Sequence, residues 1–171
     1  IRDRSVSRGL GDVYKRQVSK RMLSSFVSSY KHDFTHWHFY IPTIYGAGEN
    51  PKRLIPYVIN AIRNGEELHF TAGDQTRQYV HVSEVPRMLA QAFEKNLPSG
   101  LYNIQGTETV TVKEIVTEIH HAMGKEVPDG CFGSVQRADV GMKYLALDGK
   151  KLHDATGFEA SIKITDVIDT Y

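Results

Sequence analysis

The chain reads as an α/β protein, and three observations carry that reading. Apolar residues recur at helical spacing in several long stretches, the mark of amphipathic helices. Between them lie short runs of β-branched and aromatic residues bounded by Gly, Pro, Asn or Asp, as strands are. The two kinds of segment alternate along the chain instead of segregating, which implies helices layered on a sheet. With 171 residues there is enough chain to bury a sizeable core.

The elements follow in order. From Val18 to about Lys31, Met22, Leu23, Phe26, Val27 and Tyr30 share one helical face. Phe39-Tyr40-Ile41 then reads as a strand that Pro42 stops, because proline cannot donate to a ladder. A turn over Gly46–Pro51 leads into a helix carrying Leu54, Ile55, Val58, Ile59 and Ile62, which ends near Gly65. Strands are expected at 68–71 and 79–82, separated by Gly73-Asp74-Gln75. Ser83 can cap the next helix, whose expected buried stripe is Val85, Met88, Leu89, Ala92 and Phe93. Residues 101–104 alternate as a strand. Thr111-Val112-Lys113-Glu114 is a capping box, in which hydroxyl and carboxylate satisfy free amides at a helix start. That helix runs to Gly124, followed by a strand at 144–147 and short helical stretches near Lys150 and Thr165.

Composition excludes several function classes. Hydrophobic residues make up 40% and charged residues 24%, an ordinary soluble balance. Basic and acidic side chains number 21 and 20, so the clustered excess of a nucleic-acid binder is missing. No apolar run approaches the roughly 18 residues of a membrane span, and the one cysteine, Cys131, cannot form an internal disulfide. A cytoplasmic protein with no nucleic-acid or membrane partner is expected. His36 and His38 lack a carboxylate or third ligand at metal-site spacing, so no metal is expected.

The first 17 residues stand apart. They hold the one local basic excess, at Arg2, Arg4, Arg8, Lys15 and Arg16, together with Asp3 and Asp12 and no apolar core, unlike a secretory leader. Asp12-Val13-Tyr14-Lys15-Arg16-Gln17 resembles the in-frame translation of a transposon end used in sequencing libraries. Residues 1–17 are therefore expected to be a cloning or sequencing scar, and residues 18–171 the protein proper, without a further domain boundary.

Four stretches carry a resemblance: Val18-Ser19-Lys20, Ile41-Pro42-Thr43-Ile44-Tyr45-Gly46-Ala47-Gly48, Arg77-Gln78-Tyr79-Val80-His81-Val82 and Arg137-Ala138-Asp139-Val140. In that order and spacing they resemble the extended short-chain dehydrogenase/reductase family of NAD-dependent nucleotide-sugar epimerases, dehydratases and reductases. The resemblance spans nearly all of residues 18–171. It implies the C-terminal part of a Rossmann-type NAD(P)-binding fold plus the small lobe that grips a nucleoside diphosphate sugar.

What the resemblance implies falls on particular residues. Lys20 would be the lysine of a Tyr-x-x-x-Lys pair, holding the nicotinamide ribose of NAD or NADP and lowering the pKa of the catalytic tyrosine. Arg16 stands where that tyrosine belongs, and Tyr14 lies on another helical face. Pro42 and Thr43 would pass beside the nicotinamide and the sugar, with Thr43 replacing a frequent asparagine. Arg77 and Arg137 would bind the diphosphate, a task suited to a planar, always-charged fork. Asp139 would lie near the nucleotide ribose or hold Arg137. Phe70 would lie along the nucleobase, and Arg53 and Leu54 would touch the nucleotide.

The expectation is thus a truncated NAD(P)-dependent epimerase, dehydratase or 4-keto reductase working through a 4-keto sugar, inactive as given. The alternative is a non-catalytic nucleotide-sugar binding module or an inert fragment. The family resemblance also implies a homodimer formed through two helices per subunit, one of them the helix after Val18.

Overall fold

The structure, a computed structural model, describes residues 10–29, 33–136 and 142–171. Its Cα packing divides the chain into two compact units, Ile1–His38 with Pro98–Leu101, and Phe39–Leu97 with Tyr102–Tyr171. Arg137 and Asp139 lie outside the described residues.

The first unit contains α1 (Leu10–Ser29), which starts eight residues before the expected Val18. No Gly or Pro interrupts 12–17, and Lys15, Arg16 and Gln17 are good helix formers, so the backbone has no reason to break there. Ser24 and Ser28 bend their hydroxyls back to the carbonyls of Lys20 (3.1 Å) and Ser24 (2.7 Å). The Ser24 hydroxyl also lies 3.2 Å from His38 Nε2.

The strands β1 (Trp37–Tyr40) and β4 (Gly100–Asn103) form a two-stranded sheet. In the second unit, β3 (Thr76–His81) is the centre of a four-stranded sheet. It pairs parallel with β2 (Thr43–Tyr45) and β6 (Tyr144–Leu145), and antiparallel with β5 (Glu108–Thr111). β2 follows from Pro42: the proline ends the first run, and the chain resumes as a new strand with its own partner. β6 is shorter than the sequence pattern suggests because Leu147 leaves the ladder for a side chain. Its amide and carbonyl bond to the carboxamide of buried Gln78, at 3.2 and 3.3 Å.

Helix α2 (Leu54–Asn64) starts after extended Arg53 and ends at Gly65, whose φ of 68° suits a residue without a Cβ. It packs on α4 (Val112–Ala122), whose predicted capping box forms, with Glu114 accepting from the Thr111 amide at 2.7 Å. Ile55, Val58, Ile59, Ile115, Val116 and Ile119 are buried between these helices, the sheet and the C-terminal 3₁₀ turns at Ile164–Asp166 and Ile168–Thr170. Helix α5 (Lys150–Thr156) buries Leu152.

Three expectations fail for physical reasons. Residues 68–71 form no strand: the Phe70 amide donates to the Cys131 carbonyl (2.7 Å) and its carbonyl accepts from the Val135 amide (3.1 Å). The partner is an irregular glycine-containing loop, so no regular ladder develops. In α3 (Glu84–Glu94), Met88 and Ala92 are buried as expected, but Leu89 and Phe93 are 42% and 76% exposed. The helix is rotated by Glu84, whose buried carboxylate accepts from the amides of Ser161 (2.9 Å) and Ile162 (3.1 Å) and pairs with Arg87. Ser83 does not cap with its side chain; its hydroxyl meets His81 Nδ1 at 2.8 Å.

Candidate functional site

A cleft of about 1290 Å³ opens in the second unit above the sheet end formed by β2 and β3. It is lined by Thr43 from β2, Arg77 and Tyr79 from β3, Arg53, Leu54 and Tyr57 at the start of α2, and Phe70 with Gln75 from the loop before β3. Five residues singled out from the sequence, Thr43, Arg53, Leu54, Phe70 and Arg77, thus share one cavity, although up to 34 positions separate them. Gln136 and Lys143 line it too. Lys20 is exposed on α1 in the first unit, and Pro42 is buried at the entry to β2 without lining the cleft.

The sheet dictates how these side chains converge. Thr43 is the ladder partner of Tyr79, so the two project from the same face, and Arg77, two residues before Tyr79, shares it. Gly106 packs against the carbonyl of Tyr79 so closely that a Cβ there would overlap it. The strand carrying Arg77 and Tyr79 is thereby fixed from behind.

The cleft has a positive charge balance, since Lys52, Arg53, Arg77 and Lys143 face Glu49 and Asp74. Arg77 donates to its own strand at the Thr76 carbonyl (2.8 Å), and no ion pair engages it among the described residues. Arg53 is held differently. Its Nε lies 3.2 Å from Oε2 of Glu49, a carboxylate only 11% exposed, and the other oxygen of Glu49 accepts from the Tyr171 hydroxyl at 2.9 Å. Burial, and then that carboxylate, push the Tyr171 phenol well above its ordinary range. The start of α2 adds free backbone amides, because no side chain caps it and no acidic residue occupies its first turn. A helix start of this kind favours anions.

Aromatic surface lies beside the charge. Phe70 stacks on Phe132 with centroids 5.4 Å apart and meets Tyr57 edge-on at 6.2 Å. Phe70 is both core and cleft wall, with 8% of its surface exposed. Positive charge, helix-start amides and an aromatic wall together suit a ligand with anionic and planar parts.

Glu49, Tyr57, Tyr79, Lys143 and Tyr171 were not assigned a role from the sequence. The Glu49–Arg53 pair was legible as an i,i+4 spacing at a helix start. Tyr171 was not, because its contact spans 122 positions.

The described residues do not themselves build a dinucleotide cradle. No Gly-x-Gly-x-x-Gly occurs in the sequence, and after Gly46-Ala47-Gly48 the third position is Pro51. Gly46 is also covered by Val82 and His81, so its backbone is not open to a pyrophosphate. Among the described residues no His/Cys/Asp/Glu group could hold a metal, and no helix is long and apolar enough to cross a membrane.

The fold matches part of a Rossmann-type NAD-binding architecture. The chain superposes on a dTDP-glucose 4,6-dehydratase double mutant (DesIV) from Streptomyces venezuelae, solved with NAD bound, with TM-score 0.76, 18% identity and coverage of 94% of this chain and 50% of that one. On MoeE5 in complex with UDP-glucuronic acid and NAD the TM-score is 0.69, with 22% identity and coverage of 93% and 53%. At the sequence level, dTDP-glucose 4,6-dehydratase from Streptomyces griseus is 26% identical over 127 residues, which is 71% of this chain and 37% of the relative. The model of the NAD dependent epimerase/dehydratase family matches residues 13–104, more than half of the chain. The chain belongs to that family. It spans about half the length of these solved structures and less than half of the curated relative.

Proposed function

We propose that the cleft binds a nucleoside diphosphate sugar for an NAD(P)-dependent epimerase, dehydratase or 4-keto reductase acting through a 4-keto sugar. The carrying observation is the convergence of Arg77, Arg53 and the uncapped start of α2 beside the Phe70 wall. Arg77 and Arg53 grip the diphosphate as charge-assisted forks. Phe70 and Leu54 flank the nucleotide, and Thr43 presents a hydroxyl to the sugar. Lys20 retains the role of ribose-holding lysine within this reading, as Arg137 and Asp139 retain theirs at the diphosphate and ribose. NAD supplies hydride exchange in this family; these residues contribute binding and orientation.

A second reading is favoured by one observation. Arg16 occupies the position four before Lys20, and an arginine cannot act as a general base at neutral pH. The 171 residues alone then bind nucleotide sugar without turnover. Both readings are tested by calorimetric titration with UDP-glucose and dTDP-glucose, repeated with Arg77→Ala. Saturable heat that the substitution removes supports binding in the cleft, and heat that it leaves unchanged sinks both readings. NADH formation or consumption with such a substrate separates the enzyme from the binding module.

A further inference from the structure

We propose that Glu118 is a proton-operated clasp between α4 and the C-terminal segment, closed while its carboxyl carries a proton and loosened when it ionises. Helix α4 packs against both β5 and the 3₁₀ turn at Ile164–Asp166. Glu118 stands one helical turn after Glu114, so the two share a side of the helix. Its Oε2 is buried and has no hydrogen-bond partner among the described residues. A carboxylate oxygen in that condition has lost water and gained no donor in its place, which costs free energy. A proton on the carboxyl removes most of that cost.

The charged groups around it are Glu108 of β5, Glu114 of α4 and Lys163 just before the turn. Both carboxylates are already committed as acceptors. Glu108 Oε2 takes the Ile164 amide at 3.3 Å, and Glu114 Oε2 takes the Thr111 amide at 2.7 Å and the Thr111 hydroxyl at 2.9 Å. Lys163 opposes them, but it is exposed to solvent. Burial first, then Glu108 and Glu114, hold the Glu118 carboxyl above its ordinary range. A carboxyl raised on folding stabilises the fold fully below the unfolded value of about 4.3, and the contribution is lost as pH rises through the higher folded value. Ionised Glu118 repels Glu108, the same residue that holds the Ile164 amide, so the turn loosens as pH rises. The segment continues to Tyr171, whose hydroxyl reaches Glu49 at the edge of the cleft.

The test compares the full chain with Glu118→Gln, whose neutral amide has the shape of the protonated carboxyl, by thermal melts and amide NMR from about pH 4 to about pH 8. The expected melting midpoint of Glu118→Gln lies above wild type at about pH 8, by about 3–5 °C for each pH unit between the folded and unfolded carboxyl values. That gap should close as the pH falls to about 4. Over the same range the amides of Ile164, Thr165 and Asp166 should shift or broaden in wild type and hold still in Glu118→Gln. A gap that does not change with pH overturns the proposal. So does a Glu118→Gln midpoint below wild type at about pH 8, which makes the ionised carboxylate stabilising. A pH-dependent gap with identical Ile164–Asp166 amides in the two proteins also overturns it, because Glu118 then acts on α4 and not on the segment.

Discussion

Arg77 and Arg53 line the same cleft, but their surroundings give them different consequences when truncated. Arg53 neutralises the largely buried Glu49, so Arg53→Ala leaves a carboxylate without its counter-charge. Arg77 has no carboxylate partner among the described residues. Arg77→Ala should therefore weaken UDP-glucose binding roughly 10- to 100-fold while leaving the urea midpoint nearly unchanged. Arg53→Ala should lose affinity and also about 1 kcal/mol of stability. Equal stability losses in paired urea denaturations would contradict this distinction. Arg77 was readable in the sequence because a fork-shaped cation opens an apolar strand. Tyr79 was not, since a tyrosine in an apolar run reads as core until the structure places it in the cleft wall.

At the level of elements, β3 carries the site, Gly106 packs against it, and Glu84 ties the start of α3 to the C-terminal segment. Gly106 approaches the backbone of Tyr79 so closely that Gly106→Ala must displace the strand. We expect a loss of about 1–3 kcal/mol, in the range of overpacking, together with loss of nucleotide binding, read by thermal melts and calorimetry. Glu84 at the start of α3 holds Ser161 and Ile162 instead. Burial raises its pKa, but the Ser161 and Ile162 amides and the Arg87 guanidinium outweigh that, and the net shift is downward. A depressed carboxyl stabilises the fold above the unfolded value of about 4.3. That stability is lost as the pH falls through the lower folded value. Wild type should exceed Glu84→Gln by about 2–3 kcal/mol at pH 7, and the gap should close toward pH 3. A gap that widens on acidification would contradict the assignment. Elements with strong local signals are the ones legible in the sequence. α2 and α4 announced themselves through periodicity, Gly65 and the capping box. β2 and β5 were hidden, because a three-residue strand after a proline and a strand running into a capping box offer no alternation of their own.

For the whole molecule, the sequence motifs and the cleft describe the same ligand at different resolution. Ordered motifs pointed to nucleotide-sugar chemistry, whereas only folding shows that Thr43, Arg53, Leu54, Phe70 and Arg77 share one wall. Because the proposed grip is largely electrostatic, affinity for UDP-glucose should fall as salt rises from 50 to 500 mM on the order of severalfold, and calorimetry at the two salts measures it. A salt-independent affinity would point to the aromatic wall alone. Binding of a nucleoside diphosphate sugar in this cleft is read most directly by titrating the ¹⁵N-labelled chain with dTDP-glucose or UDP-glucose and following its amides by NMR. Saturable shifts concentrated at Thr43, Arg53, Leu54, Phe70, Arg77 and Tyr79 are expected. Shifts confined to other surfaces, or none at saturating nucleotide sugar, would contradict it.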